Sequence, residues 1–259
     1  MNFHDNRAIH VNRITLNVAN LEKQTHFYQA IVGLPIKSQS KQQVVFSIGT
    51  KGHELVLNDL KEGRQATPYE AGLFHIAFLL DSVNQLGALI KHLSSFNIPI
   101  GGGDHLVSQA IYFTDTEGNG IEVYVDRDAR TWEWQNQMVK MDTLPLDIES
   151  IIGEAESTIW EGMHKNAQIG HLHLKASDLK EGRLFYERIG FNVASTLPQA
   201  FFMSDKQYHH HLALNTWQSH QKRKSPLETY GLSTFNVVIP NGKVDEHVTP
   251  EGLILTINK

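Results

Sequence analysis

The chain has 259 residues, 41% of them hydrophobic and 20% charged, with a net charge of -5 when the histidines are neutral. That length and apolar content can bury a substantial core as one large or two modest domains. No apolar run reaches the ~18 residues that span a bilayer, the N-terminus MNFHDNRAIH lacks the basic-then-apolar layout of a secretory signal, and the longest basic run, KRK at 222–224, leaves no electrostatic footprint for nucleic acid.

A cytoplasmic protein with no membrane and no nucleic-acid partner is the expectation. Zero cysteines exclude disulfides and thiolate ligands, so the fifteen histidines and the carboxylates are the available metal-binding chemistry.

From Ile9, VNRITLNV alternates polar and apolar residues as a half-buried strand does, and NLEKQTHFYQAIVG follows with an N-cap candidate, Asn20, apolar residues at helical spacing and a closing glycine. Three short strand candidates come next, LPIKSQS, QQVVFSIG and HELVLNDL. The unit reads βαβββ. It returns as GLFHIAFLL, a helix from about Ser82 to Phe96, then IPIGGGDHLV, SQAIYFTDT and NGIEVYVD. A long connection, 128–166, contains the short helix candidate LDIESIIGEA and tryptophans 132, 134 and 160, which point to a linker that packs down. A third copy follows in IGHLHLKAS, DLKEGRLFYERIG, FNVASTLP, QAFFMSD and HHHLALNTW. A fourth opens at GLSTFNVVIP but has only NGKVDEHVTPEGLILTINK left, too little for a helix and three full strands. Repetition of this kind supports every copy at once. The expected fold class is α+β: repeated βαβββ modules forming two half-open barrels, each able to surround a small-molecule cavity. The expected division is a first domain 9–127 (modules 9–61 and 71–127), the linker 128–166, and a second domain 167–259 (module 167–217 and a trimmed module 231–259).

NLEKQTHFYQAIVGL, SDLKEGRLFYERIGF and above all SQAIYFTDTEGNGIEVYVDR resemble the vicinal oxygen chelate superfamily, which holds the glyoxalases, bleomycin-resistance proteins and extradiol dioxygenases. Within it the chain is most similar to four-module bacterial proteins of the catechol 2,3-dioxygenase kind. The resemblance implies a metal site built from the first and last strands of paired modules. Register then places Arg13, His75, His171 and Thr234 at one ligand position and Glu54, Glu122, Ala213 and Ile254 at the other. Pairing units one and two sets an arginine on the metal, and pairing three and four supplies no carboxylate. Pairing two with three gives His75, His171 and Glu122, the two-histidine, one-carboxylate set of non-haem Fe(II) oxygenases with positions left open.

The resemblance further implies Tyr112, ten residues before Glu122, as a substrate-orienting group, and a histidine acid and base, either His105 or His211. Strand alternation adds His173 and Tyr124 as cavity walls and turns His209 and His211 inward with Ala213, while His210 faces away and serves structure. Phe202 and Trp217 are candidate aromatic walls, with core packing as their ordinary use. The implied activity is extradiol cleavage of a small aromatic diol by dioxygen on Fe(II). Two alternatives stand beside it: a glyoxalase-type isomerase or lyase using Mn, Zn or Ni, and a binding protein without catalysis. Association into a homo-oligomer stays open.

Overall fold

In the computed structural model, which describes residues 3–259, the first unit runs β1 (His10–Val18), α1 (Leu21–His26), β2 (Ile36–Gln39), β3 (Gln43–Ile48) and β4 (His53–Asp59). Asn20 caps α1 as expected, its side chain accepting from the Lys23 N–H. The helix is shorter than its periodicity predicts. After one and a half turns it widens into a π-helical turn, Phe27–Ile31, that buries Phe27, Tyr28 and Ile31 together. The second unit has β5 (Gly72–Leu80), α2 (Val83–Ser95, capped by Ser82), β6 (Gly101–Asp104), β7 (Ser108–Thr114) and β8 (Gly120–Asp126).

The linker forms a small hairpin, β9 (Trp134–Gln135) with β10 (Met138–Val139), and the predicted helix, α3 (Ile148–Glu154). The third unit has β11 (Gln168–Lys175), α4 (Leu179–Ile189), β12 (Asn192–Leu197), β13 (Ala200–Ser204) and β14 (Leu212–Asn215). Gly190 ends α4 at φ 114°, a conformation that glycine enters without the Cβ penalty. The fourth unit is trimmed and has no helix between its first two strands: β15 (Gly231–Val238), β16 (Asp245–Val248) and β17 (Ile254–Ile257).

The strands make two curled sheets. One has the order β12-β13-β14-β11-β5-β8-β7-β6 and joins units two and three; the other, β16-β17-β15-β1-β4-β3-β2, joins units one and four. Within a unit the first strand lies parallel to the last, as in β5 with β8 and β1 with β4, which leaves the first strand's other edge unpaired. That edge is filled antiparallel by the first strand of a unit from the other half: β5 by β11, and β1 by β15. The sequential halves 9–127 and 167–259 therefore each give one unit to each sheet, and neither half owns a sheet.

A single apolar core runs through all four units, from Val11 and Ile14 to Leu253 and Leu255. Two buried tyrosines tie the sheets across it. Tyr28 donates to Asp115 Oδ2 at 3.0 Å, joining units one and two, and Tyr186 donates to Glu251 Oε2 at 2.8 Å, joining units three and four. These contacts give a physical reason for the Phe-Tyr pair in both helices. No helix among the described residues is long and apolar enough to cross a membrane.

Candidate metal centre

Three adjacent strands of the eight-stranded sheet, β11, β5 and β8, carry His171, His75 and Glu122. In the ladder His171 lies opposite Ala77, Ala77 beside Glu122, and His173 opposite His75. Directly paired residues, and residues two apart on a strand, share a sheet face, so all five project to the concave side. Ala77 is the small member at the centre, leaving space where the longer side chains converge.

The Nε2 atoms of His75 and His171 lie 3.3 Å apart, and Glu122 Oε2 is 2.9 Å from the first and 3.1 Å from the second. Neighbouring ligands held about 2.1 Å from a six-coordinate ion are themselves about 3 Å apart, so the three donors fit a divalent cation with one face open. Among the described residues this is the group of histidines and carboxylates that could hold an ion. All three are buried. Burial pushes the Glu122 carboxyl up, but the His171 and His75 rings outweigh it and hold the group well below its ordinary range. Burial depresses His171 to about 4 against the pull of Glu122, so the imidazole is neutral and able to ligate at neutral pH.

The triad sits at the base of a cavity of about 300 Å³, the low end of the ~300–1,000 Å³ typical of small-ligand pockets. Phe74, Phe202, Leu197 and Met141 make its walls apolar, and Trp217, 43% exposed, stands at its mouth. His173 lines it too, with its Nε2 accepting from the Asn215 amide at 2.9 Å. Tyr112 and His105 meet inside it: the tyrosine hydroxyl donates to His105 Nε2 at 2.5 Å, while His105 Nδ1 donates to the Asp142 carbonyl at 2.9 Å. Burial, then the nearby Glu122 charge, keep the Tyr112 hydroxyl protonated far above neutral pH.

Three of the residues expected at the cavity do not line it. Tyr124 packs behind His171, ring centroids 5.0 Å apart, with its hydroxyl hydrogen-bonded to that of Tyr208 at 2.7 Å. His209 turns to Asp126, Nε2 to Oδ1 at 2.8 Å. His211 accepts from the Asp205 N–H and donates from Nε2 to the Phe3 carbonyl at 2.8 Å, which pins the N-terminal segment and removes it as an acid–base candidate. His210, assigned to structure from the sequence, is the member of the run that enters the cavity. Its ring lies 4.0 Å from that of His171 between centroids, and its Nε2 has no partner among the described residues. The reversal has a simple cause. Residues 208–211 precede β14 and are not extended strand, so the alternation that holds from Leu212 onward cannot be run backward through them.

The linker also contributes what its sequence did not announce. Leu144 exchanges backbone hydrogen bonds with Asp104 at the edge of β6, and this bridge lays Met141, Asp142 and Thr143 along the cavity.

A paired-module sheet with a buried two-histidine, one-carboxylate cluster on its concave face is the arrangement of one superfamily. The chain matches the Glyoxalase/Bleomycin resistance protein/Dioxygenase superfamily over residues 10–123 and belongs to it. Over 238 residues it is 33% identical to a catechol-2,3-dioxygenase of Bacillus subtilis (strain 168), covering 90% of this chain and 83% of that one. It is 32% identical over 118 residues, 44% of this chain and 81% of the relative, to metallothiol transferase FosB of Staphylococcus haemolyticus. The crystal structure of a glyoxalase I variant from Zea mays superposes with a TM-score of 0.58 over 96% of this chain and 93% of that one; at 12% identity this is a likeness of fold. The relationship to a dioxygenase of this superfamily implies a divalent metal.

Proposed function

We propose that the protein is an extradiol dioxygenase, opening the ring of a catechol-like substrate with dioxygen on an Fe(II) ion held by His75, His171 and Glu122. The observation that carries this reading is the single buried carboxylate set about 3 Å from two imidazole nitrogens at the base of an aromatic-walled cavity sized for one ring. When bound, the ion supplies the Lewis acidity and redox chemistry through which a catecholate and dioxygen react.

The chain's own residues supply the rest. Phe74, Phe202 and Trp217 present apolar faces that exclude water and hold an aromatic ring edge-on or stacked. The Tyr112 hydroxyl, fixed by its hydrogen bond to His105 Nε2, orients a substrate oxygen. His210, neutral because burial and the His171 ring disfavour its charged form, is placed to accept a substrate hydroxyl proton at Nε2 and return it later.

The test is anaerobic reconstitution with Fe(II), addition of catechol and simple substituted catechols, and admission of air. The yellow ring-opened product should appear with the wild type and not with Glu122→Ala, whose bound iron should fall below a tenth of stoichiometric. Stoichiometric iron with no turnover of any catechol, combined with isomerase or thiol-transfer activity in the Mn-, Zn- or Ni-loaded protein, would replace this reading with the glyoxalase-type one.

A further inference from the structure

Away from the metal centre, the two sheets meet along the ends of their central strands. There Lys175 pairs with Gly72 in one sheet and Asn17 with Gly231 in the other. A cleft of about 360 Å³ opens at this junction, lined among others by Lys175, Arg223, Asn119, Thr67 and Glu117. We propose that this cleft is a binding site for a small oxyanion of the phosphate class, held by Lys175 and Arg223.

The argument is one of unmatched charge. Arg223 is 8% exposed. Its guanidinium reaches the backbone carbonyls of Ala71 and Tyr230, its Nε has no partner, and no carboxylate pairs with it among the described residues. The Lys175 side chain is half-buried and makes no hydrogen bond or ion pair with any described residue. The two nearby acids are already engaged. Glu70 accepts both ends of the Arg64 guanidinium, at 2.7 and 2.8 Å, and Glu117 accepts from the backbone N–H groups of Ala19 and Asn20 at 2.9–3.0 Å. Two cations withdrawn from water are costly, and the carboxylate that acts on both, Glu70, is already bridged to Arg64: burial and then Arg223 lower Lys175 against the pull of Glu70, and burial lowers Arg223 to about 10 against the same carboxylate.

The backbone is cut to admit this arrangement. A Cβ on Gly72 would stand 2.6 Å from Arg223 Nη1, and one on Gly231 would stand 3.2 Å from Nη2 and 3.3 Å from Asn119 Oδ1. Both glycines have positive φ, 150° and 88°. An oxyanion in the cleft would complete the charge balance and take donors from Lys175 and the guanidinium.

Inorganic phosphate is the probe, titrated into full-length protein at constant ionic strength with chloride as the balancing anion while thermal unfolding is followed. The wild-type midpoint should rise by about 2–4 °C once phosphate reaches about ten times its Kd, and go on rising with the logarithm of its concentration. Lys175→Gln, altering a half-buried side chain with no protein partner, should fold with an unshifted midpoint in chloride and lose the phosphate response. A Lys206→Gln control should keep it. A midpoint that does not move, or a response that survives Lys175→Gln, overturns the site. A response abolished by Glu122→Ala but retained in Lys175→Gln would place the anion at the metal centre and equally overturn it. Succinate reproducing the Lys175-dependent rise at equal concentration would overturn the assignment to a phosphate-class anion.

Discussion

Acid should unfold this protein through histidines that bind no metal. His53 and His211 are buried, and burial is the leading cause that brings each down to about 3. Both use Nδ1 as an acceptor, His53 from the Ile169 N–H and His211 from the Asp205 N–H, so protonation would set two donors against each other. In the unfolded chain each takes up its proton near pH 6.5. Between pH 6.5 and 3 the unfolded state therefore binds more protons than the folded one, and stability that is full above 6.5 is lost as the pH falls. Going from pH 6.5 to 4.5, each ring removes about 2 kcal/mol, so the pair removes about 4 kcal/mol, a large share of the ~5–15 kcal/mol that holds a domain together. Urea unfolding followed by tryptophan fluorescence, in the presence of a chelator so that metal release does not enter, measures the drop. His53→Asn keeps an acceptor for Ile169 and cannot be protonated there, so it should recover about 2 kcal/mol of the loss. A wild-type decline under about 1 kcal/mol over that interval, or one unchanged in His53→Asn, would refute the reasoning.

Tyr28→Phe deletes the donor to a buried carboxylate and should cost about 1.5–3 kcal/mol in urea unfolding; a double-mutant cycle with Asp115→Asn should show most of that cost as coupling between the two positions. Tyr112→Phe should leave the iron content unchanged and lower kcat on catechol by about 10²-fold, as loss of an orienting proton donor would; paired metal analysis and steady-state kinetics check both halves of that statement.

Much of the fold could be read from the chain because its signals are local and repeated. The Asn20 cap, the helix boundaries near Ser82 and Phe96, and the strand alternation of GLFHIAFLL and IGHLHLKAS each depend on neighbouring residues. The convergence of His75, His171 and Glu122 could be read because the fourfold repeat gave several copies of one register, and a single arrangement supplied both imidazoles and a carboxylate. What could not be read depends on irregular backbone or on contacts far apart in sequence. Extrapolating alternation through residues 208–211 selected His209 and His211 over His210. The division at the linker follows chain order, and the crosswise pairing of units was legible only through the ligand set that it completes, since nothing local in the strands announces it. The linker's place along the cavity rests on one backbone bridge, Asp104 to Leu144, with no motif behind it.

Crosswise sheets also set the order in which the molecule can be assembled. Until residues 168–175 leave the ribosome, the long apolar strand 72–80 has an open edge, and an open edge of that kind is a template for pairing with another chain. Strand 10–18 waits longer, for residues 231–238. The tyrosine staple from Tyr28 to Asp115 lies wholly within the first half and can hold it together during the wait. His75 and Glu122 arrive early and His171 late, 96 residues after the first, so metal affinity at the proposed site is a report on whether the two halves have found each other. A divalent metal bound at the proposed site by a growing or refolding chain would mark the moment at which the halves become one molecule.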